Sequence, residues 1–419
     1  MGSAYSNALA GLNANAQAIN IVSGNLANLS TSGYKDQQVS FQDLVNQSLS
    51  GVSNAGSISG SVIAQSSQSF TQGTLNTTNN PYDAAIQGGG FFVLQGTNGQ
   101  QLYTREGNFT VDSTGHLVTA TGQYVQGWNA VNGVLNANGA TSNITLPTAL
   151  TTPPVATGNI TLNANLNSNA VTGAASGTFS SPIQIFDSLG TAHTLTVTYT
   201  NTSANNWTYN VTIPSTDVAG GTGATTNVGT GTMTFGSNGL MTVPAAAAGT
   251  VPISVTGLAD GASNLTINWN LYDKNGDSTI TQFSQASTNT GQAQDGAAPG
   301  QLTGMSIGQD GEVVASFSNG TTSNVAQIAL ASVLNPGSMQ QVSGNAYAPT
   351  SQTANPVIGL PSTGARGGIS GGALETSTVD IATEFTNLLQ YERGYQANSK
   401  VISTEDQVIQ QTIGLIANG

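Results

Sequence analysis

Apolar side chains recur every seven residues at both ends of this chain, and no other feature constrains its fold as much. Near the N-terminus Tyr5, Leu12, Ile19 and Leu26 keep the interval, with Leu9, Val22 and Leu29 three or four residues from a member of the series. Near the C-terminus Ile381, Leu388, Tyr395, Ile402, Ile409 and Ile416 repeat it. A sustained seven-residue repeat is the mark of helices that pack side by side. The spacing predicts a helix ending near Ser30 to Gly33, where turn formers cluster, and a second helix over about 378–417. Thr376, Ser377 or Thr378 can cap the second helix, and Asp380 and Glu384 suit the positive end of its dipole.

Between the helices the period changes to two. TLTVTYT (194–200), WTYNVTI (207–213) and LTINWNLYD (265–273) alternate and are bounded by turn residues, as strands of a sandwich or barrel are. GGGFFVLQG (88–96), LYTREGNFTVDSTGHLVTATG (102–122) and MSIGQDGEVVASFSNG (305–320) read as hairpins. The expected fold is multidomain, with terminal α-helices forming a coiled-coil domain and two all-β domains inserted one within another. Residues 1–30 and 374–419 form the helical domain, and 31–75 with 361–373 an extended connector. Residues 76–150 with 298–360 form a middle β domain, and 151–297 an outer β domain. TPP at 152–154 and the polar run from Gln285 to Pro299 mark the outer domain's limits.

Charge narrows the function. The chain of 419 residues carries six Lys and Arg and a net charge of −13, which suits neither nucleic acid nor an anionic membrane. It has no cysteine, hence no disulfide or thiolate site. It contains no run of 18 apolar residues and no basic start followed by an apolar block, so neither a membrane span nor a cleavable signal is expected. The low charge and the abundance of Thr, Gly and Asn resemble those of extracellular β-rich proteins.

No catalytic motif emerges. DKNGDSTIT (273–281) begins like a calcium loop, but its glycine is fourth rather than sixth and its twelfth residue is Ser284, so it reads as a β-turn. GGGFF (88–92) lacks the GK[ST] ending of a phosphate loop. His116 and His193, the two histidines, read as turn or surface residues. No GxSxG and no recognisable pair of catalytic carboxylates is present. The expectation is a non-enzyme without cofactor, metal or small-molecule substrate.

Several segments then carry a resemblance. NANAQAINIVSGNLANLSTSGYK (13–35) resembles the N-terminal signature of bacterial flagellar rod and hook proteins, matched at Ala27, Asn28, Thr31, Gly33, Tyr34 and Lys35. NPYDAAIQGGGFFVL (80–94) and LYTREGNFTVDSTGHLVTATGQYVQGW (102–128) are similar to the family's hairpin region. GALETSTVDIATEFTNLLQYERGYQANSKVISTEDQVIQQTI (372–413) resembles its C-terminal signature, with Arg393, Tyr395, Ala397, Asn398 and Asp406 matched. The block from about 150 to 297, containing IQIFDSLGTAHTLTVTYT, is similar to the extra domain of the hook branch. Thr378 replaces a usual Asn, Tyr391 and Glu392 stand where a Gln precedes the Arg, and Leu29 and Ser30 replace a smaller or more polar pair.

The resemblance implies a homopolymer: a curved, flexible tube that passes torque from rod to filament outside the cell. Its implied partners are copies of itself, the rod, the hook cap, the hook–filament junction proteins and the type III export apparatus. The apolar series at each end would be the assembly seams, and Arg393, Asn398 and Lys400 would make polar assembly contacts. A distal rod protein and a secreted β-rich adhesin are the alternatives. The central insertion argues against the first, and the seams at both ends against the second.

Overall fold

The computed structural model describes residues 2–44, 61–131, 133–147, 150–246 and 249–417. Two helices, α1 (Gly2–Ala27) and α2 (Ile381–Ala417), stand at the ends of the chain, and strands fill the interval between them. The chain divides into two compact units: residues 1–148, 305–315 and 323–419, and residues 149–304 and 316–322. No helix among the described residues is long and apolar enough to cross a membrane.

The second unit is a β-sandwich. Strands Thr178–Phe186, Ala192–Ser203, Asn206–Pro214, Thr225–Phe235 and Met241–Val243 form one antiparallel sheet in sequence order. The other sheet is built around Asn159–Asn167, which runs parallel to Leu265–Asn270 and Ile280–Phe283 and antiparallel to Thr288–Gln294. Successive strand residues point to opposite faces, so alternate residues of both sheets meet in one core. Tyr199, Trp207 and Val211 enter it from the first sheet, and Leu162, Ile267 and Trp269 from the second. The edge-to-face contact of Tyr209 with Trp269, at 5.3 Å between centroids, crosses that core.

In the first unit, Phe91–Gln95 is the central strand, pairing with Gln101–Thr104, with Tyr124–Val131 and with Leu330–Ser332. Its near-continuous apolar run is buried on both faces. Phe92 and Leu94 enter one core, and Phe91 and Val93 another. Tight turns close these hairpins: Gly96 N–H bonds to the Gln100 carbonyl, and Asp112 caps the DSTG turn by accepting the His116 amide.

The stretch 31–75, which reads from sequence as an extended connector, contains an antiparallel strand pair, β1 (Gln37–Leu44) and β2 (Ser61–Gln68). Ser and Gln on both faces hide the period-two signal there. The part of that stretch at 45–60 lies outside the described residues. The cap of α2 also differs from expectation. Asp380, not Thr376, Ser377 or Thr378, accepts the Thr383 amide at 2.8 Å, while Thr378 turns away to bond Asp36. The Asp carboxylate wins because it satisfies a free N–H and meets the positive helix end together.

α1 and α2 lie antiparallel. Asn25 meets Glu384, Asn15 meets Gly394, and Gly11 meets Asn398. The face of α1 turned inward is Ala8, Gly11, Ala14, Asn15, Ala18, Val22 and Asn25, of which Gly11 and Asn15 are half-buried. Of the apolar series named from sequence only Val22 belongs to it. Tyr5 and Leu9 are exposed, and Leu12, Ile19, Leu26 and Leu29 are half-buried. On α2 the inward face carries Glu384, Tyr391, Gly394 and Asn398. Leu388 and Ile402 are half-buried beside it, and Ile381, Tyr395 and Ile409 are exposed. The side chain of Ile416 lies outside the described ones.

Candidate assembly site: a helix pair anchored by a buried ion cluster

The site begins where α1 ends. Asn28 Nδ2 donates to the Gly24 carbonyl and Thr31 Oγ1 donates to Asn28 Oδ1, so these two motif residues close the last turn. Ala27 is exposed at that end. Gly33 follows with φ of +68°, which L side chains rarely adopt. A Cβ there would also stand 2.7 Å from the Arg105 carbonyl. Glycine is therefore required twice, for its dihedral and for the close approach to the hairpin. The backbone of 33–36 then zips onto 375–378: Gly33 N–H to the Glu375 carbonyl, Thr378 N–H to the Tyr34 carbonyl, and Asp36 N–H to Thr378 Oγ1.

That pairing brings rare charges together out of water. Lys35 Nζ lies 2.6 Å from Glu375 Oε1, and Arg105 Nη1 lies 3.5 Å from Glu375 Oε2. The side chains of Lys35 and Glu375 are fully buried and that of Arg105 is 4% exposed. Around them Lys35 donates to the Thr71 carbonyl and Arg105 to the Gly88 carbonyl, while Gly73 N–H donates to Glu375. Arg105 also stacks over Phe91, 5.2 Å from the ring centroid. Burial holds the Lys35 ammonium below its usual pKa, against the opposing pull of the Glu375 bond and charge. Burial depresses Arg105 likewise, again opposed by Glu375. One carboxylate thus serves two cations, and each of the three residues comes from a different signature segment.

A second polar cluster ties the helices together one turn away. Asn25 donates to Glu384 Oε1 and to the Gln37 carbonyl, and its oxygen accepts from the Tyr34 hydroxyl and the Gln37 amide. Burial raises the Glu384 pKa, partly offset by the Asn25 bond. Tyr391 meets Phe41 of β1 edge-to-face at 5.7 Å.

Members of the two apolar series meet in a groove beside the helix contact. Ile19 of α1 and Leu388 and Tyr395 of α2 line a groove of about 440 Å³ with Ala16, Asn20 and Glu392. Phe385 and Leu389, which the seven-residue spacing passes over, are more than half exposed, and Val401, Val408 and Ile413 extend the apolar surface along α2. Arg393 and Lys400 are exposed on α2. Asn398 is half-buried against Gly11 of the same chain, so its principal contact is internal.

The second unit holds a different cluster, missed from sequence. His193 is buried, not a turn or surface residue. Its Nδ1 faces Asp217 Oδ2 at 2.9 Å and its Nε2 faces Asp187 Oδ2 at 3.2 Å. Asp187, His193 and Asp260 bring one ligand atom each within 4.8 Å of one another, but both imidazole nitrogens are already engaged as an ion-pair clamp. Burial alone would lower the His193 pKa, and the bonds and charges of Asp217 and Asp187 outweigh it and raise the value above 6.5. His116, half-buried in its turn, donates its amide to Asp112 Oδ1, and its Nδ1 lies 2.8 Å from Thr114 Oγ1. DKNG closes as a β-turn, with Asp273 Oδ1 accepting the Asn275 and Asp277 amides.

Comparison with known proteins assigns these segments. Residues 6–35 match the model described as flagella basal body rod protein, and 370–415 the flagellar basal body rod FlgEFG protein C-terminal model. Residues 85–173 match the flagellar hook protein FlgE/F/G D1 domain, and 159–297 the flagellar basal body protein FlaE D2 domain. These matches define a flagellar axial protein of the rod and hook class.

Whole-chain similarity is more specific. The chain is 30% identical to the flagellar hook protein FlgE of Escherichia coli K12, over 98% of this chain and all of that protein. It is 34% identical to flagellar hook protein FlgE of Rhizobium meliloti over 97% of both. The crystal structure of Helicobacter pylori flagellar hook protein FlgE2 aligns with a TM-score of 0.48 at 17% identity, over 68% of this chain and 96% of that one. The chain belongs to the flagellar hook protein family.

Glu375→Gln leaves two buried cations without their carboxylate and lowers the stability of the first unit by about 3–5 kcal/mol. Urea denaturation followed by helical circular dichroism measures it, and an unchanged midpoint would contradict the assignment. His193 supports the second unit as a cation. Because its folded pKa is raised, its contribution is complete below pH 6.5 and is lost as pH rises through the raised value. The second unit should therefore lose stability as pH rises from 6.5 through that raised value, and the loss should be absent in His193→Gln.

Proposed function

We infer that this chain is a structural subunit of the flagellar hook that polymerises through its two helices. The observation that carries the reading is the groove between α1 and α2. Ile19 of the α1 series and Leu388 and Tyr395 of the α2 series line it, yet the chain leaves it open. Within the chain the helices pair through small residues instead, so the larger side chains remain free to bury against other helices. Burial of apolar area at roughly 25 cal/mol per Å² gives that pairing its driving force.

In this reading residues 1–30 and 374–419 form an inner coiled-coil tube, joined through 31–75 and 361–373 to a middle β domain of 76–150 and 298–360. Residues 151–297 form an outer β domain. Arg393 and Lys400, exposed on α2, supply polar contacts between copies. Ser- and Thr-rich strand faces of the outer domain suit contacts that break and re-form as a curved tube rotates. The tube passes torque from the rod to the filament without catalysis. Its partners are the rod, the cap and the hook–filament junction proteins, and it reaches the outside of the cell unfolded through a type III export apparatus. The match of 159–297 to a D2 domain model favours the hook over a distal rod role.

Electron microscopy of the purified full chain tests this. Tubes should form at high concentration or in precipitating salt, and deletion of residues 2–27 or 381–417 should abolish them. Tubes that persist after both deletions, or a full chain that stays monomeric under every such condition, would sink the reading.

A further inference from the structure

α1 carries no Asp, Glu, Lys or Arg. The charge pairs that fix register in most coiled coils are therefore missing from the α1–α2 contact. Its inward face is made mostly of small residues, Ala8, Gly11, Ala14 and Ala18 among them, which slide easily past a neighbour. Two reciprocal contacts interrupt this smooth surface. A Cβ on Gly11 would stand 2.8 Å from Asn398 Nδ2, and a Cβ on Gly394 would stand 2.5 Å from Asn15 Oδ1. Each asparagine is held in place by its own helix. Asn15 Nδ2 donates to the Gly11 carbonyl at 2.6 Å, and Asn398 Nδ2 donates to the Gly394 carbonyl at 2.9 Å.

The same four-residue device thus occurs on both helices, a glycine followed four residues later by an asparagine bonded back to it. Run antiparallel, the two copies interlock, each asparagine filling the space left by the other helix's glycine. We propose that this double asparagine–glycine clasp sets the longitudinal register of the helix pair. A seven-residue slip would put Tyr391 or Glu405 against Gly11, and Asn387 or Val401 against Asn15. Every such arrangement meets a bulky or polar side chain or leaves a hole, and packed interfaces tolerate neither.

The clasp lies ten residues along α1 from the Asn25–Glu384 contact, roughly 15 Å by helical rise. It holds the pair where the ion cluster's influence has ended. Its consequence for assembly rests on the polymer reading. α2 is longer than α1, and a tube of identical subunits needs the same overhang in every copy.

The test is made on the monomer, so it stands whether or not the chain polymerises. The chain lacks cysteine, so spin labels at Asn13→Cys and Gln396→Cys, both exposed, report one distance between the helices. Pulsed electron spin resonance should give a single narrow distribution. N15A/N398A raises helix propensity, removes both asparagines, and should broaden the distribution or add a population shifted by about 10 Å, one heptad of rise. Filling the holes with G11L/G394L should do the same. Exchanging the partners, with G11N, N15G, G394N and N398G together, restores the fit in the other sense and should restore the narrow distribution. A role in helix propensity alone would not be rescued by the exchange. An unchanged narrow distribution in N15A/N398A, or no rescue in the fourfold exchange, overturns the clasp. Should G11L/G394L unfold, the alanine pair decides.

Discussion

The first unit depends on one buried carboxylate. Glu375 neutralises Lys35 and faces Arg105 in a site closed to water, within a chain that has only six basic residues. Bringing such charges out of water costs several kcal/mol per ion, and their mutual attraction does little more than recover it. Their value lies in specificity. The three charges compensate one another only when the end of α1, the hairpin strand before Gly107 and the strand before α2 meet together. Gly33 adds the steric half of the same requirement by letting its backbone approach Arg105.

From that anchor the helices leave the β body side by side. The Asn25–Glu384 cluster continues the polar join for one more turn, and small residues carry it outward. The helix pair is therefore narrow, and its large apolar side chains lie beside the contact rather than inside it. A lone protein gains nothing from leaving Leu9, Phe385, Leu389 and Ile413 exposed. A subunit that must pack against its own copies gains a surface whose burial is reserved for assembly.

The elements themselves were legible in the sequence, because period seven and period two are strong signals and this chain is rich in both. Alternation placed Val197, Tyr199, Trp207 and Ile267 in strands whose alternate residues form the sandwich core. The choice of helix face was not legible. Hydrophobic spacing selects the larger side chains, whereas the intrachain contact is decided by close approach, which favours Ala8, Gly11, Ala18 and Gly394. The β1–β2 pair escaped notice because polar residues occupy both of its faces. Lys35 and Glu375 had a readable signal, since each is a scarce charge at the end of a signature segment, but only the fold shows that they meet. His193 gave no signal, because Asp187, Asp217 and Asp260 reach it from separate loops.

The central claim is that the ion cluster makes three distant segments of sequence into one cooperative unit. Native-state hydrogen exchange of the full chain, with and without Glu375→Gln, tests it most directly. Amides at the end of α1, in the strand leading to Arg105 and in the strand ending at Glu375 should lose protection together and by the same factor, while the sandwich of residues 159–294 keeps its protection. Faster exchange confined to the neighbours of Glu375 would contradict the account.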